Sequence, residues 1–300
     1  MFSSLKQFGP RAWVASVLMA SGLSTAMADE CLDPESLTFA LVPTEETTAE
    51  LELYSPVTNR LAEMTGKNIE FFMPTSYASV VEGIVGGFVQ VAVLGPYSYV
   101  IANERDERVE VFATYAKRPG HLQEEGPGYR AALVSLKNSE FDSIEALEGS
   151  TLGLVDPGST SGNLMPRVVF GKVIGQDLDD YFSRVVYTGS HELSAVAVSE
   201  GRVDAAFVAT HRFDNAVNKG DVALEDFNVL WQSSPIPQDP FVYRSDLCPE
   251  LKQQIADTFL KLNEDPAAQS FLDNVKSNRF VSMSSSDYDI IRDLKAAREN

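Results

Sequence analysis

The chain has 300 residues, 44% of them hydrophobic, and carries 43 acidic against 24 basic side chains for a net charge of −19. An acidic excess of this size excludes nucleic acid and anionic membrane as ready partners, and any anionic ligand must be held by a local site against the overall field. The length suffices for two domains, or one large one, with substantial cores.

Residues 1–28 read as a secretory signal that is cleaved off, with Lys6 and Arg11 at its start, an apolar stretch over 12–23 and the small-residue site Ala26-Met27-Ala28. That stretch is too short to cross a bilayer, and no later segment runs apolar for long enough. The mature protein is therefore expected to be soluble and periplasmic. Asp29 and Glu30, just before Cys31, argue against a lipid anchor there.

A buried strand is predicted over 37–42, then a helix through Leu51, Tyr54, Val57 and Leu61 that ends near Gly66. A strand over 69–73 precedes a helix over 77–85 with apolar positions at Val80, Val81, Ile84 and Val85. A third strand, 91–94, stops at Gly95-Pro96, and a short helix continues to residue 102. After the Gly/Pro-rich loop 120–128 comes a long strand, 129–136. A second α/β set follows: strand 151–155, helix 163–173, strand 184–187, helix 191–200, strand 204–208, helix 212–218 and strand 227–231. Beyond the turn-rich stretch 233–240 lie a strand at 241–244 and helices over 249–263 and 287–298. Alternation at this spacing means α/β lobes with mostly parallel sheets, the first completed by the C-terminal segment. Ligands of such sheets sit beyond the carboxyl ends of strands, often between domains.

One such strand end, after 151–155, carries Asp156-Pro157-Gly158-Ser159-Thr160-Ser161-Gly162-Asn163. Free backbone N–H groups, a helix start and three hydroxyls converge there, which suits a phosphate-like or carboxylate group. A plain helix cap uses the same residue types, but three hydroxyls between glycines exceed what a cap requires. His191, after Gly189-Ser190, starts a helix and is either an anion donor or a cap residue. Tyr77 and Tyr129 each follow a turn that would aim a phenol into a cleft, although tyrosines often simply fill cores. Asp239 is a turn residue or a cation acceptor.

Cys31 and Cys248 are the two cysteines. An oxidising compartment favours a disulfide between them over two free thiols, and spacing does not separate the cases. The three histidines are scattered and no metal site is expected. There is no Gly-x-Gly-x-x-Gly or Gly-Lys-Ser/Thr motif, so no nucleotide cofactor is expected. The centre of Gly158-Ser159-Thr160-Ser161-Gly162 is Thr rather than the Ser of a nucleophile elbow. A secreted serine hydrolase using Ser159 or Ser161 remains as a third reading.

Four blocks occur in an order that resembles the periplasmic substrate-binding proteins of phosphonate, phosphite and phosphate ABC transporters. They are Tyr77 to Gly83, Val91 to Tyr99, Asp156 to Pro166, and Gly189-Ser190-His191-Glu192 ahead of Gly201-Arg202-Val203-Asp204-Ala205. The resemblance runs from about Leu37 to about Asp265. It implies an α/β, two-lobed periplasmic binding protein, type II-like, whose two doubly wound sheets are joined by a two-strand hinge. Lobe 1 would comprise 29–130 with 237–300, and lobe 2 would be 131–236. It also implies that Ser159, Thr160, Ser161, His191, Tyr77 and Tyr129 donate to a phosphonate-type oxyanion. Neutral donors of this kind would suffice without an arginine. Family members that take aminoalkyl phosphonates use two acids for the ammonium. Asp239 resembles one; the other position holds His211. The implied role is a monomeric receptor that delivers its ligand to an ABC permease and is not an enzyme. The alternative is a ligand-loaded partner of a membrane sensor kinase.

Overall fold

The computed structural model describes residues 1–4, 9, 31–43 and 47–299, so most of the predicted signal lies outside the described residues. Met1–Glu30 and Cys31–Asn300 form separate units, and the fold below is that of the second. Among the described residues no helix is long and apolar enough to cross a membrane.

The chain runs through β1 (Ser36–Leu41), α1 (Thr47–Thr65), β2 (Asn68–Phe72), α2 (Tyr77–Val85), β3 (Val91–Val93), α3 (Pro96–Arg105) and β4 (Val109–Lys117). β5 (Gly128–Tyr129) and β6 (Ala131–Leu136) lead to β7 (Thr151–Leu154). Two wide helical turns, Thr160–Leu164 and Pro166–Phe170, precede α4 (Gly171–Ile174) and α5 (Leu178–Tyr181). Next come β8 (Arg184–Tyr187), α6 (His191–Ser199), β9 (Ala205–Ala209), α7 (Thr210–Lys219) and β10 (Phe227–Gln232). β11 (Ile236–Pro237), β12 (Phe241–Arg244), α8 (Pro249–Leu260), α9 (Gln269–Asn274), β13 (Ser277–Ser282) and α10 (Asp289–Glu299) complete it.

Two sheets result. One has the order β13-β4-β12-β3-β1-β2, the other β10-β6-β9-β7-β8. Both are mixed: β1 is parallel to β2 and β3, while β12 runs antiparallel to β3 and β4. Between the sheets β5 and β11 pair, Tyr129 opposite Ile236 and Gly128 opposite Pro237. This short ladder is where the chain passes out of the first sheet and back. Each sheet is covered by helices over apolar layers, such as Phe39, Phe241, Phe259 and Phe280 in the first and Leu152, Phe170 and Phe207 in the second. Cys31 and Cys248 are disulfide-bonded, and Leu32 bridges to Leu247 beside them. The N-terminal segment is thereby tied to the start of α8.

Three differences from the sequence reading have physical causes. β4 was not predicted because it is buried on both faces along much of its length, so it lacks the alternation of a half-exposed strand. β13 is an edge strand paired only to β4, and its polar composition hides it. The helix expected over 163–173 begins earlier, as i→i+5 turns in which Leu164 N–H reaches Ser159 C=O at 3.0 Å. Pro166 supplies no N–H there, which removes a rung of the ordinary ladder.

Candidate functional site

Three helix starts face one point between the sheets. α2 begins at Tyr77 with Ser76 as cap, and α6 begins at His191 with Ser190 as cap, each cap hydroxyl accepting a backbone N–H. The hydroxyl turn after β7 is capped by Ser159, whose Oγ accepts from Gly162 N–H at 3.1 Å. Gly162 is obligatory at that point, because a Cβ there would run into the Val155 side chain. The helix N-termini bring positive potential to the same small volume.

Tyr77, Tyr129, Ser159, Thr160, His191, His211 and Asp239 line one cavity, joined by Val42, Gly95, Ala209 and Arg212. Its volume is about 10 Å³, close to that needed by one water-sized sphere. Seven of the eight candidate residues are thus brought together at its wall. The eighth, Ser161, lies just behind it, fully buried, with Oγ 3.5 Å from His191 Nε2. Larger cavities exist elsewhere, but none gathers this set of donors.

Protonation is set by burial. The phenols of Tyr77 and Tyr129 are both buried, which raises their pKa values and keeps them as O–H donors; Asp239 adds to the shift in both. Tyr129 lies against the Ser161 and Thr160 hydroxyls. His191 is held down to about 3 by burial and by nearby Arg212. Its Nδ1 accepts from Ala209 N–H at 3.0 Å, so the neutral ring carries its proton on Nε2. Nε2–H is therefore a donor on the Ser161 side. The same tautomer cannot take a proton from Ser161. Burial also holds His211 well below the ordinary histidine value, reinforced by Lys117 and Arg212.

Arg212 is the charged residue on the cavity wall that the sequence reading did not name. It stands in the first turn of α7, and its guanidinium lies 3.5 Å from an Asp239 carboxylate oxygen. A cation in a first turn opposes the helix dipole and calls for an anion nearby. That was the available signal. Asp239 feels two basic groups: Arg212, and Lys117, whose pKa burial pushes down to about 7 so that it is only partly charged at neutral pH. Burial raises the Asp239 pKa, while both cations pull it back. The Asp239 backbone is fixed by Thr114, whose hydroxyl donates to its C=O at 2.7 Å.

The start of α3 also touches the hydroxyl turn directly at the site. Tyr97 N–H, at the start of α3, donates to Thr160 Oγ1 at 2.8 Å, and Ser98 Oγ donates to Gly158 C=O at 2.9 Å. Gly158 fits closely, since a Cβ would stand 3.1 Å from Tyr77 Cβ and 3.0 Å from Ser98 Oγ.

Two mixed sheets, a two-strand crossing and a closed polar cavity between them define a two-lobed solute-binding protein. Residues 39–288 match the family of ABC-transporter phosphonate periplasmic substrate-binding proteins, and the chain belongs to that family. It is 30% identical over 247 residues to the phosphate-import protein PhnD of Mycolicibacterium smegmatis, covering 79% of this chain and 74% of that protein. It is 29% identical over 269 residues to the phosphonates-binding periplasmic protein of Escherichia coli, covering 88% and 76%. The binding-protein component of an ABC phosphonate transporter from Pseudomonas aeruginosa superposes with a TM-score of 0.81 at 26% identity, over 89% of this chain and 87% of that one.

Proposed function

We propose that this protein captures a small tetrahedral oxyanion (phosphate, phosphite or a short phosphonate) and delivers it to the membrane permease of an ABC importer. The observation that carries the reading is the set of O–H and N–H donors gathered around one cavity. Tyr77, Tyr129, Ser159, Thr160, Ser161 and His191 supply hydrogen-bond capacity without proton chemistry, and Arg212 adds one positive charge. Charge-assisted hydrogen bonds contribute roughly 1.5–3 kcal/mol each, so five or six at about 2.5 kcal/mol each reach micromolar affinity after association costs of at least about 4 kcal/mol. The relatives agree in chemistry: one is a phosphate-import protein and another a phosphonates-binding protein.

In this reading residues 29–130 with 237–300 form one lobe and 131–236 the other, with Tyr129 on the crossing between them. Residues 1–28 are removed on export, and the protein acts as a monomer. It binds and releases its ligand unchanged, a view supported by the His191 tautomer. Calorimetry across phosphate, phosphite, methylphosphonate and 2-aminoethylphosphonate tests the proposal. One-to-one binding of at least one of these, with the ligand recovered intact, is the expected result. Binding of none, or turnover that is lost in Ser161→Ala, would overturn it.

A further inference from the structure

Asp239 is the one carboxylate on the cavity wall among the described residues, and Arg212 already holds it. The pair is well buried, the two side chains being 10% and 14% exposed. Lys117 stands on the same side, buried, with Nζ donating to Val275 C=O at 2.9 Å and lying 4.1 Å above the Tyr115 ring. His211 is neutral, and its Nε2 is 3.9 Å from Asp239. Thus the one acid in the wall already has a guanidinium partner, and partly charged Lys117 acts on it as well. A ligand ammonium entering here would have to displace a guanidinium from its carboxylate and then sit beside it. An uncharged substituent meets no such obstacle, and the phosphoryl oxygens meet a carboxylate whose charge Arg212 already offsets. Arg212 also lines an outer cavity of about 410 Å³ with Lys117, Lys219 and Lys276. Glu52 is the one acid in its lining, so in a chain with a net charge of −19 this cavity wall is locally basic.

We propose that Arg212, by occupying Asp239, sets the specificity of the site: it favours small anions with an uncharged fourth substituent and rejects those carrying an ammonium. This inference rests on the oxyanion-binding reading above. A like-charge contact in a buried site is strongly unfavourable, and a preference of about tenfold or more is expected.

The experiment is calorimetry on the mature protein with methylphosphonate, phosphite, phosphate and 2-aminoethylphosphonate. The wild type should bind the best of the first three at least about tenfold more tightly than 2-aminoethylphosphonate. Arg212→Gln should weaken the simple anions and strengthen the amino ligand, narrowing or reversing the ratio. Arg212→Lys, which keeps the charge, should retain the wild-type order and stands in if the glutamine variant does not fold. Tighter binding of 2-aminoethylphosphonate by the wild type, or an Arg212→Gln variant that changes all affinities by one common factor, would overturn the inference while leaving oxyanion binding intact. Failure of all four ligands to bind a folded wild type would instead sink the oxyanion reading, and this one with it.

Discussion

The amide of Ala209 decides what His191 can do. By donating to Nδ1 it fixes the proton on Nε2, and burial then keeps the ring neutral well below the pH of any bacterial envelope. His191 is therefore a permanent donor, and its contribution to binding should not titrate between about pH 5 and 8. His191→Ala and Thr160→Ala should each weaken ligand binding by about tenfold or more, as expected for loss of a charge-assisted bond. Calorimetry at pH 7 checks this, and unchanged affinity in both variants would remove these residues from the site. Stability, by contrast, should depend on pH. The unfolded chain takes up protons at His191 and His211 as pH falls through about 6.5, whereas the folded chain holds both rings below that value. The unfolded state thus binds more protons, and stability is lost from about pH 6.5 downward, by up to roughly 1.4 kcal/mol per pH unit per ring. Urea midpoints measured between pH 7.5 and 5 should fall, and His191→Gln should flatten that slope. Asp239 and Asp214, whose values burial raises, act in the opposite direction at lower pH.

At the scale of elements, the site depends on how one turn is wound. The i→i+5 turns after β7 let Ser159 cap and Gly162 close against Val155, so that three successive hydroxyls reach the region between the sheets. Gly162→Ala should cost about 1–3 kcal/mol, the usual range for overpacking, and weaken ligand binding because Ser159 and Thr160 move with the turn. A thermal melt and a titration on the same sample measure the two effects together. The chemistry of this turn was legible in the sequence, because glycines around hydroxyls after a strand have a local meaning. Its winding was not, since that depends on Pro166 and on packing under Val155. Likewise the helix starts at Tyr77 and His191 could be read from Ser76 and Ser190. Arg212 could not be placed from local pattern alone, because its partner Asp239 comes from a separate turn beyond β10 and β11. β4 and β13 escaped for reasons of position: a strand buried on both faces and a polar edge strand each lose the period of two.

At the scale of the whole molecule, two kinds of connection hold distant segments together. The Cys31–Cys248 disulfide joins residues 217 apart in sequence. Closing so long a loop is worth up to about 5 kcal/mol in a chain-entropy account, with about 2–4 more usual in practice. Reduction, or paired Cys→Ser substitution, should lower the melting temperature accordingly and leave the anion site's affinity unchanged, since neither cysteine lines the cavity. The contacts of α3 with the hydroxyl turn are different in kind, because they join the two sheets at the site itself. Tyr97 N–H and Ser98 Oγ reach Thr160 and Gly158, and in the proposed binding role opening of the lobes would break both bonds. In that role they would add to the stability of the closed form alone. Removing the second bond in Ser98→Ala should therefore act mainly on release. The dissociation rate is expected to rise by about three- to tenfold, the equivalent of a neutral hydrogen bond of roughly 0.5–1.5 kcal/mol, while the association rate stays within a factor of about two. Stopped-flow measurement of both rates decides the matter. A change confined to association would mean that Ser98 acts on the open form, and that α3 guides the ligand in rather than holding the lobes shut.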